Sequence, residues 1–232
     1  MPNRWEELAR KDAEFYILTD LAPGDEFFQS GERDAARILA FAENFLTGST
    51  TALEIGCGVG RLTIPMSAKF AEITAVDVAP TMLEKLTKNC AARQIRNVHA
   101  FLADEPWERD RRTDFGYSRI VFQHIEDWSV ISDYFRRIAI ALKPGGLLYV
   151  QFDTRRPNIL YHLRNQLPDA ILPRTSRRGV RRIRRTAPQI IDLAARCGLE
   201  LLQEHGRGSF DHEFLFRRTP PGPGFAAEHS RA

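Results

Sequence analysis

The chain has 232 residues, 43% of them hydrophobic and 27% charged, the balance expected of one water-soluble domain with a sizeable core. It contains no run of about eighteen apolar residues, so no membrane-spanning helix is expected, and Met1 to Glu7 lacks the apolar core of a secretory leader. Cys57, Cys90 and Cys197 are far apart with no C-x-x-C pair, which argues against a disulfide framework or zinc site and fits a reducing cytoplasm. The net charge of +3 is uneven: residues 174–185 hold seven arginines and no acid, which leaves −4 for the rest.

Residues 1 to about 47 read as a helical cap. Trp5, Leu8, Ala9, Asp12 and Phe15 to Leu18 form one amphipathic element, interrupted at Leu21-Ala22-Pro23-Gly24. A second helix is expected from near Glu32, where Ala35, Ile38, Leu39, Ala42 and Phe45 recur at helical spacing, to a glycine cap at Gly48. Phe27-Phe28-Gln29-Ser30-Gly31 reads as an aromatic loop before it. Thr51 to Ile55 is a short buried strand, broken by Gly56, Gly58 and Gly60, and a helix over 61–70 follows. Glu72 to Val76 is the second strand, Pro80 to Arg93 a helix with proline at its start, and Val98 to Ala103 the third strand. Phe115 to Phe122 reads as the fourth strand, Val130 to Leu142 as a helix, and Leu147 to Phe152 as the fifth strand after Lys143-Pro144-Gly145-Gly146. An insert over about 154–186 carries a helix at 158–167 and then the arginine run. A helix over 187–197, strands over 199–205 and 212–217, and a disordered tail over 219–232 complete the chain.

The strand, glycine turn and helix at 51–70 form a ligand-binding signature. Each glycine admits φ > 0 and close approach of a ligand to the backbone, and Asp77, about twenty residues on at the end of the next strand, is placed to accept hydrogen bonds from two ribose hydroxyls. A nucleoside-containing ligand is expected. The spacing is G-x-G-x-G rather than the G-x-G-x-x-G of dinucleotide sites, and Glu54 lies inside the motif, where it would repel a pyrophosphate but suit an ammonium group.

Glu54-Ile55-Gly56-Cys57-Gly58-Val59-Gly60 resembles the first motif of the class I S-adenosylmethionine-dependent methyltransferases, E-x-G-x-G-x-G, at every fixed position. Leu142-Lys143-Pro144-Gly145-Gly146 before an apolar strand is a further shared feature, and the resemblance extends from about Glu32 to Asp153. It implies a seven-stranded, mainly parallel, doubly wound α/β sheet over 48–218 beneath the cap. It also implies an S-adenosyl-L-methionine site. Glu54, Gly56, Cys57, Gly58 and Gly60 would shape the methionine side, Asp77 the ribose, Val78 and Met82 the adenine flanks, and Asp104 the adenine amine, with Ala103 and Gln123 nearby. Trp107 is a candidate lid over the adenine.

Methyl transfer from a sulfonium is an in-line displacement that depends mostly on alignment. A hydroxyl acceptor additionally wants a base, for which His124 is the candidate, with Glu126 or Asp127 orienting its ring. Asp153, His205 and His212 are weaker candidates. The segment Phe122-Gln123-His124-Ile125 lacks the Asn/Asp-Pro-Pro-aromatic motif of the family's base-amine enzymes. The expectation is therefore a cytoplasmic enzyme that methylates a small molecule at a hydroxyl oxygen, anionic acceptors being among the candidates, with no metal site. Two alternatives stay open: an RNA methyltransferase using the arginine run, which lacks interleaved aromatics for base stacking, and a non-catalytic cofactor-binding protein.

Overall fold

The computed structural model describes residues 4–18, 24–46, 48, 50–109, 112–173, 177 and 180–220. Seven strands form one sheet in the order β3-β2-β1-β4-β5-β7-β6. They are β1 (Thr51–Ile55), β2 (Glu72–Asp77), β3 (Val98–Leu102), β4 (Thr113–Ser118), β5 (Leu142–Phe152), β6 (Leu199–His205) and β7 (His212–Arg218). The first five run parallel, and β7 enters antiparallel between β5 and β6. The mainly parallel, doubly wound sheet expected from the sequence is the sheet observed.

Period-two alternation explains why both faces are covered. Leu53 and Ile55 of β1, Leu148 and Val150 of β5 and Phe214 and Phe216 of β7 point to one face, packed by α5 (Trp128–Ala141) and α7 (Ala187–Arg196). Ala52, Phe115, Tyr117, Leu147 and Tyr149 point to the other, covered by α2 (Asp25–Ala42) and α3 (Thr63–Ser67). Leu86 and Cys90 of α4 (Pro80–Ala92) close the β2 side over Ala75. Two further helices, α1 (Arg4–Ile17) and α6 (Ile159–Gln166), lie outside these layers. The first is kinked at Asp12, whose φ/ψ of −164°/93° is extended.

Several boundaries differ from the sequence reading. The second helix starts at Asp25, so Phe27 to Gly31 is its first two turns and not a loop; it ends at Ala42, short of Gly48. The reason lies at Gly31, where a Cβ would come within 1.9 Å of the Arg61 carbonyl oxygen. A residue that reads as a helix breaker is there because α2 crosses the glycine loop with no room for a side chain. The helix after the loop spans only Thr63–Ser67, because turns occupy the residues between Gly60 and Thr63. The fourth strand ends at Ser118, and Phe122–His124 form a separate 3₁₀ turn. Residues 221–232 of the expected tail lie outside the described residues.

Candidate functional site

Strand order reverses between β1 and β4, so their carboxyl ends diverge and leave a crevice, the usual ligand position in open α/β sheets. A cavity of about 180 Å³ opens there. Glu54, Gly56, Cys57 and Gly58 line one wall, Asp77, Val78 and Met82 a second, and Arg119, Ile120 and Val121 a third, with Val130 and Tyr134 of α5 at one end. Trp5 and Ile17 of α1 roof it. Gly56 has φ +77° and Gly58 φ +53°; an added Cβ would meet Val121 at 2.3 Å in the first case and Ile17 at 2.7 Å in the second. Both glycines are thus required for conformation and for space.

The two acids of this cavity are held at a cost. Glu54 is fully buried; its Oε2 accepts hydrogen bonds from Thr63 Oγ1 at 2.6 Å and Tyr117 OH at 3.0 Å, leaving Oε1 outside both bonds. Burial outweighs these bonds and lifts its pKa to about 7. Asp77 Oδ2 accepts from the Gly58 amide at 2.9 Å and Oδ1 from the Ala79 amide at 3.0 Å. Burial raises its pKa too, although the amide bonds oppose it. Each Asp77 oxygen keeps a lone pair for a further donor. A ligand that brings a cation and hydroxyl donors would relieve both carboxylates, whereas an anionic one would add repulsion. Val78, Met82, Ile125, Val130 and Tyr134 supply an apolar slot beside them.

After β4 the chain turns through Ile120, whose φ of +61° lies in the left-handed region. A β-branched residue there is strained by about 1–3 kcal/mol, and its amide is held by Gln151 Oε1 at 3.1 Å. Ile120 and Ile17 border both the first cavity and a second one of about 290 Å³. The second cavity differs in chemistry: Arg155, Arg164, Arg181 and Arg182 line it with Tyr16 and His124. Its arginines are only partly engaged. Arg181 is nine-tenths buried and pairs through NH2 with Glu126 at 2.8 Å, yet its Nε has no partner, and neither has Arg164 Nε.

His124 stands on this second wall. Its Nδ1 lies 3.3 Å from the Arg181 carbonyl oxygen, which assigns the proton to Nδ1, and its Nε2 lies 3.3 Å from the Gln123 amide nitrogen. Burial lowers its pKa to about 4, so the ring is neutral near pH 7. Neither acid proposed to orient it does so: Glu126 pairs with Arg181, and Asp127 caps α5 by accepting from the Ser129 amide at 2.8 Å.

Other residues singled out in the sequence lie elsewhere. Gly60 faces Leu86, where a Cβ would meet its Cδ1 at 2.7 Å, and does not line the first cavity. Gln123 is wholly buried, its Oε1 accepting from Gln151 Nε2 at 3.2 Å. Ala103 and exposed Asp104 border a shallow depression beyond Val130 and Tyr134, outside the main cavity. Trp107 is no lid: it is buried in the core, its Nε1 donating to the Ala103 carbonyl and its ring covered by the Arg137 guanidinium at 4.3 Å. Of the weaker base candidates, Asp153 is consumed by Arg155 at 2.5 Å, His212 stacks on Phe214 and bonds Thr154, and neither it nor His205 lines either cavity.

Sequence reasoning missed the charged network beneath the first cavity. Arg119, 8% exposed, reaches Asp34 of α2 at 3.1 Å, Asp211 at 2.9 Å and the Tyr149 hydroxyl at 3.1 Å. Arg37 of α2 joins Asp211 and Glu213, each at 2.7 Å, and Arg61 of the glycine loop joins Asp34 at 2.8 Å. Three arginines and three acids from distant parts of the chain thus fasten α2 to the loop, to the turn after β4 and to β7. The only hint in sequence was the charge of Arg119 at a strand end.

Comparison with known proteins agrees with this architecture. Residues 27–204 match the family described as a methyltransferase domain, and the chain belongs to it. It is 33% identical over 121 residues to the trans-aconitate 2-methyltransferase of Methylobacterium radiotolerans, covering 51% of this chain and 43% of that protein. It is 26% identical over 146 residues to the ribosomal protein L11 methyltransferase of Acetivibrio thermocellus, covering 62% of this chain and 44% of that protein. The chain therefore spans less than half the length of these curated relatives. Magnesium protoporphyrin IX methyltransferase from Synechocystis, solved with bound S-adenosylhomocysteine, has the same fold: TM-score 0.62 at 16% identity, over 90% of this chain and 94% of that one.

Proposed function

We propose that the chain transfers a methyl group from S-adenosyl-L-methionine, held in the acidic cavity, to an oxygen of a small anionic acceptor held in the arginine-lined cavity beside it. The observation that carries this reading is the pairing of two unlike cavities across Ile17 and Ile120. Glu54 and Asp77 suit the ammonium and ribose hydroxyls of the cofactor, and the apolar slot suits its adenine. Arg155, Arg164, Arg181 and Arg182 suit carboxylates, which guanidinium groups bind in bidentate fashion. The relative named for trans-aconitate, a polycarboxylate, supports the same acceptor class.

The protonation chemistry favours an oxygen that is already ionised. A base with pKa about 4 is poorly matched to a neutral hydroxyl, because general-base catalysis is best when the base titrates near the working pH. A carboxylate needs no base, so approach and in-line alignment supply the catalysis, on the order of 7–11 kcal/mol when well arranged. The second reading keeps His124 as base for a hydroxyl acceptor, on the strength of its place in the acceptor wall. An RNA acceptor is less favoured because most of the described arginines of the run already bond carbonyls or acids: Arg177 with Leu172, Arg181 with Asn165 and Glu126, Arg184 with Arg156, and Arg185 with Ile125 and Glu126.

The test is incubation with methyl-labelled S-adenosyl-L-methionine and a panel of di- and tricarboxylates, phenols, alcohols and RNA, with Asp77→Ala as control. Label recovered as alkali-labile methyl ester supports the carboxylate reading. Label in an alkali-stable ether supports the hydroxyl reading, and label in RNase-sensitive material overturns both. Cofactor binding without label in any acceptor favours the non-catalytic alternative.

A further inference from the structure

The insert between β5 and α7 turns an apolar stripe away from the protein. Within α6, Tyr161 faces inward and is buried, while Ile159 and Leu160 are 78% and 74% exposed. Leu163 and Leu167 continue the same outer side at helical spacing, and Ile171 extends it on the following 3₁₀ turn (Asp169–Ile171). These five account for more than half of the nine large apolar side chains exposed among the described residues. Scattered exposed leucines are ordinary, but a contiguous apolar patch marks an interaction surface.

The charge of the segment that carries the stripe points to one kind of partner. Residues 154–186 hold ten arginines and one acid, Asp169, a net +9 in a chain whose total is +3, so everything outside the insert sums to −6. Arg156 and Arg164 flank the stripe in sequence, and Arg155 beside them is paired with Asp153. We infer that α6 and its flanking arginines dock on an anionic lipid surface, with the aliphatic stripe in the headgroup–acyl boundary and the guanidinium groups on anionic headgroups. A surface helix with aliphatic residues on one side and arginines beside them is built for that interface. A second copy of the chain is a poor occupant, since a two-fold contact through this face would bring two +9 segments together. RNA would leave the aliphatic stripe in water. Arg155 and Arg164 also line the second cavity, so docking would bring its wall to the bilayer.

The test is co-sedimentation of the full chain with phosphatidylcholine vesicles, with and without phosphatidylserine, at low and high salt. The expected result is binding to the phosphatidylserine vesicles alone, weakened by salt. Leu160→Ser with Leu163→Ser should weaken it by at least about tenfold, since each buried methylene contributes about fourfold. Cofactor affinity and the circular dichroism spectrum should stay unchanged, the replaced side chains being exposed. As a second readout, Leu160→Trp should shift its emission to the blue with phosphatidylserine vesicles. No binding to them, equal binding to both vesicles, or binding untouched by the serine pair would each overturn the proposal. So would a wild-type dimer in sedimentation that the serine pair dissolves, with no vesicle binding, because a second copy would then cover the stripe.

Discussion

The raised pKa of Glu54 makes a quantitative prediction about cofactor binding. The ordinary value of 4.5 moves to about 7 in the folded protein because burial disfavours the carboxylate. If the cofactor's ammonium lies against Glu54, binding requires the ionised form and draws the pKa back toward 4.5. Below pH 7 each unit of acidity then weakens binding by about five- to sevenfold, about 70-fold in total between pH 8 and pH 5. Isothermal titration with S-adenosylhomocysteine, which carries the same ammonium and cannot react, reads this slope, and uptake of about one proton by buffer at pH 6 reads it independently. Glu54→Gln should bind weakly and without slope. The groups facing Glu54 are Asp77, Arg61, Tyr117 and Cys57; of these Tyr117 and Cys57 have pKa values pushed well above the range scanned. The sign for stability follows from the same shift. A raised acid favours the fold below its unfolded pKa, and that contribution, about 3 kcal/mol, is lost as pH rises through 7. The stability of Glu54→Gln relative to wild type should therefore climb between pH 5 and pH 8. A wild-type affinity that is flat from pH 5 to 7.5, or a glutamine variant that keeps the slope, would refute the reasoning.

Four further outcomes are expected. Gly31→Ala should destabilise by at least about 1–3 kcal/mol in urea denaturation, because its methyl has no place beside the Arg61 carbonyl. Arg119→Met should cost on the order of 1–3 kcal/mol by the same measurement, since Asp34, Asp211 and Glu213 lose a buried donor while Arg37 still pairs the last two. For His124 the folded pKa of about 4 lies below its ordinary 6.5, so its contribution is present above pH 6.5 and lost as pH falls toward 4. His124→Gln should remove that part of the acid-side loss in a pH series of melting temperatures, and should leave the rate on a carboxylate acceptor within about tenfold. Thr186→Ala should cost about 1 kcal/mol, as it removes the hydroxyl that accepts the Gln189 amide in the capping box of α7.

How much of this was legible in the sequence depended on distance along the chain. The glycine loop, Asp77 and the strands around them were readable because strand periodicity, glycine spacing and a single acid lie within thirty residues. The Phe115 strand starts close to its true position at Thr113, whereas β5 starts at Leu142 and not Leu147, because the chain pairs with Thr113 before an irregularity that the Lys-Pro-Gly-Gly sequence hides as a turn. Phe27 to Gly31 was misread because a helix propensity argument weighs Gly31 alone, and its reason is a carbonyl thirty residues away. The network of Asp34, Arg37, Arg61, Arg119, Asp211 and Glu213 had no local trace beyond the charge of Arg119 at a strand end, since charges at six separated positions look like ordinary surface until the sheet brings them together. The arginine run was visible as composition, but not the fact that backbone carbonyls at Leu172, Asn165, Arg156, Ile125 and Glu126 absorb much of it. His124 lies on the wall of the second cavity, while its neutrality follows from burial, which no local sequence pattern shows.

The charged network divides what looked like one amino-terminal cap into two parts with different lifetimes. Helix α2 is tied to the sheet by buried ion pairs, so its amides should exchange with solvent only when the whole domain opens. Helix α1 is broken at Asp12 and held by Glu6 on Thr81, a long bond from Lys85 to the Ala9 carbonyl, and the apolar contacts of Trp5 and Ile17 over the cavity. Its amides should exchange through local opening at a lower free energy. A cofactor seated beneath Trp5 and Ile17, as proposed above, would slow that opening by the factor 1 + [L]/Kd, and leave α2 exchange set by the global transition. The roof would then work as a latch that the bound cofactor itself holds shut, while the floor stays the same throughout the cycle.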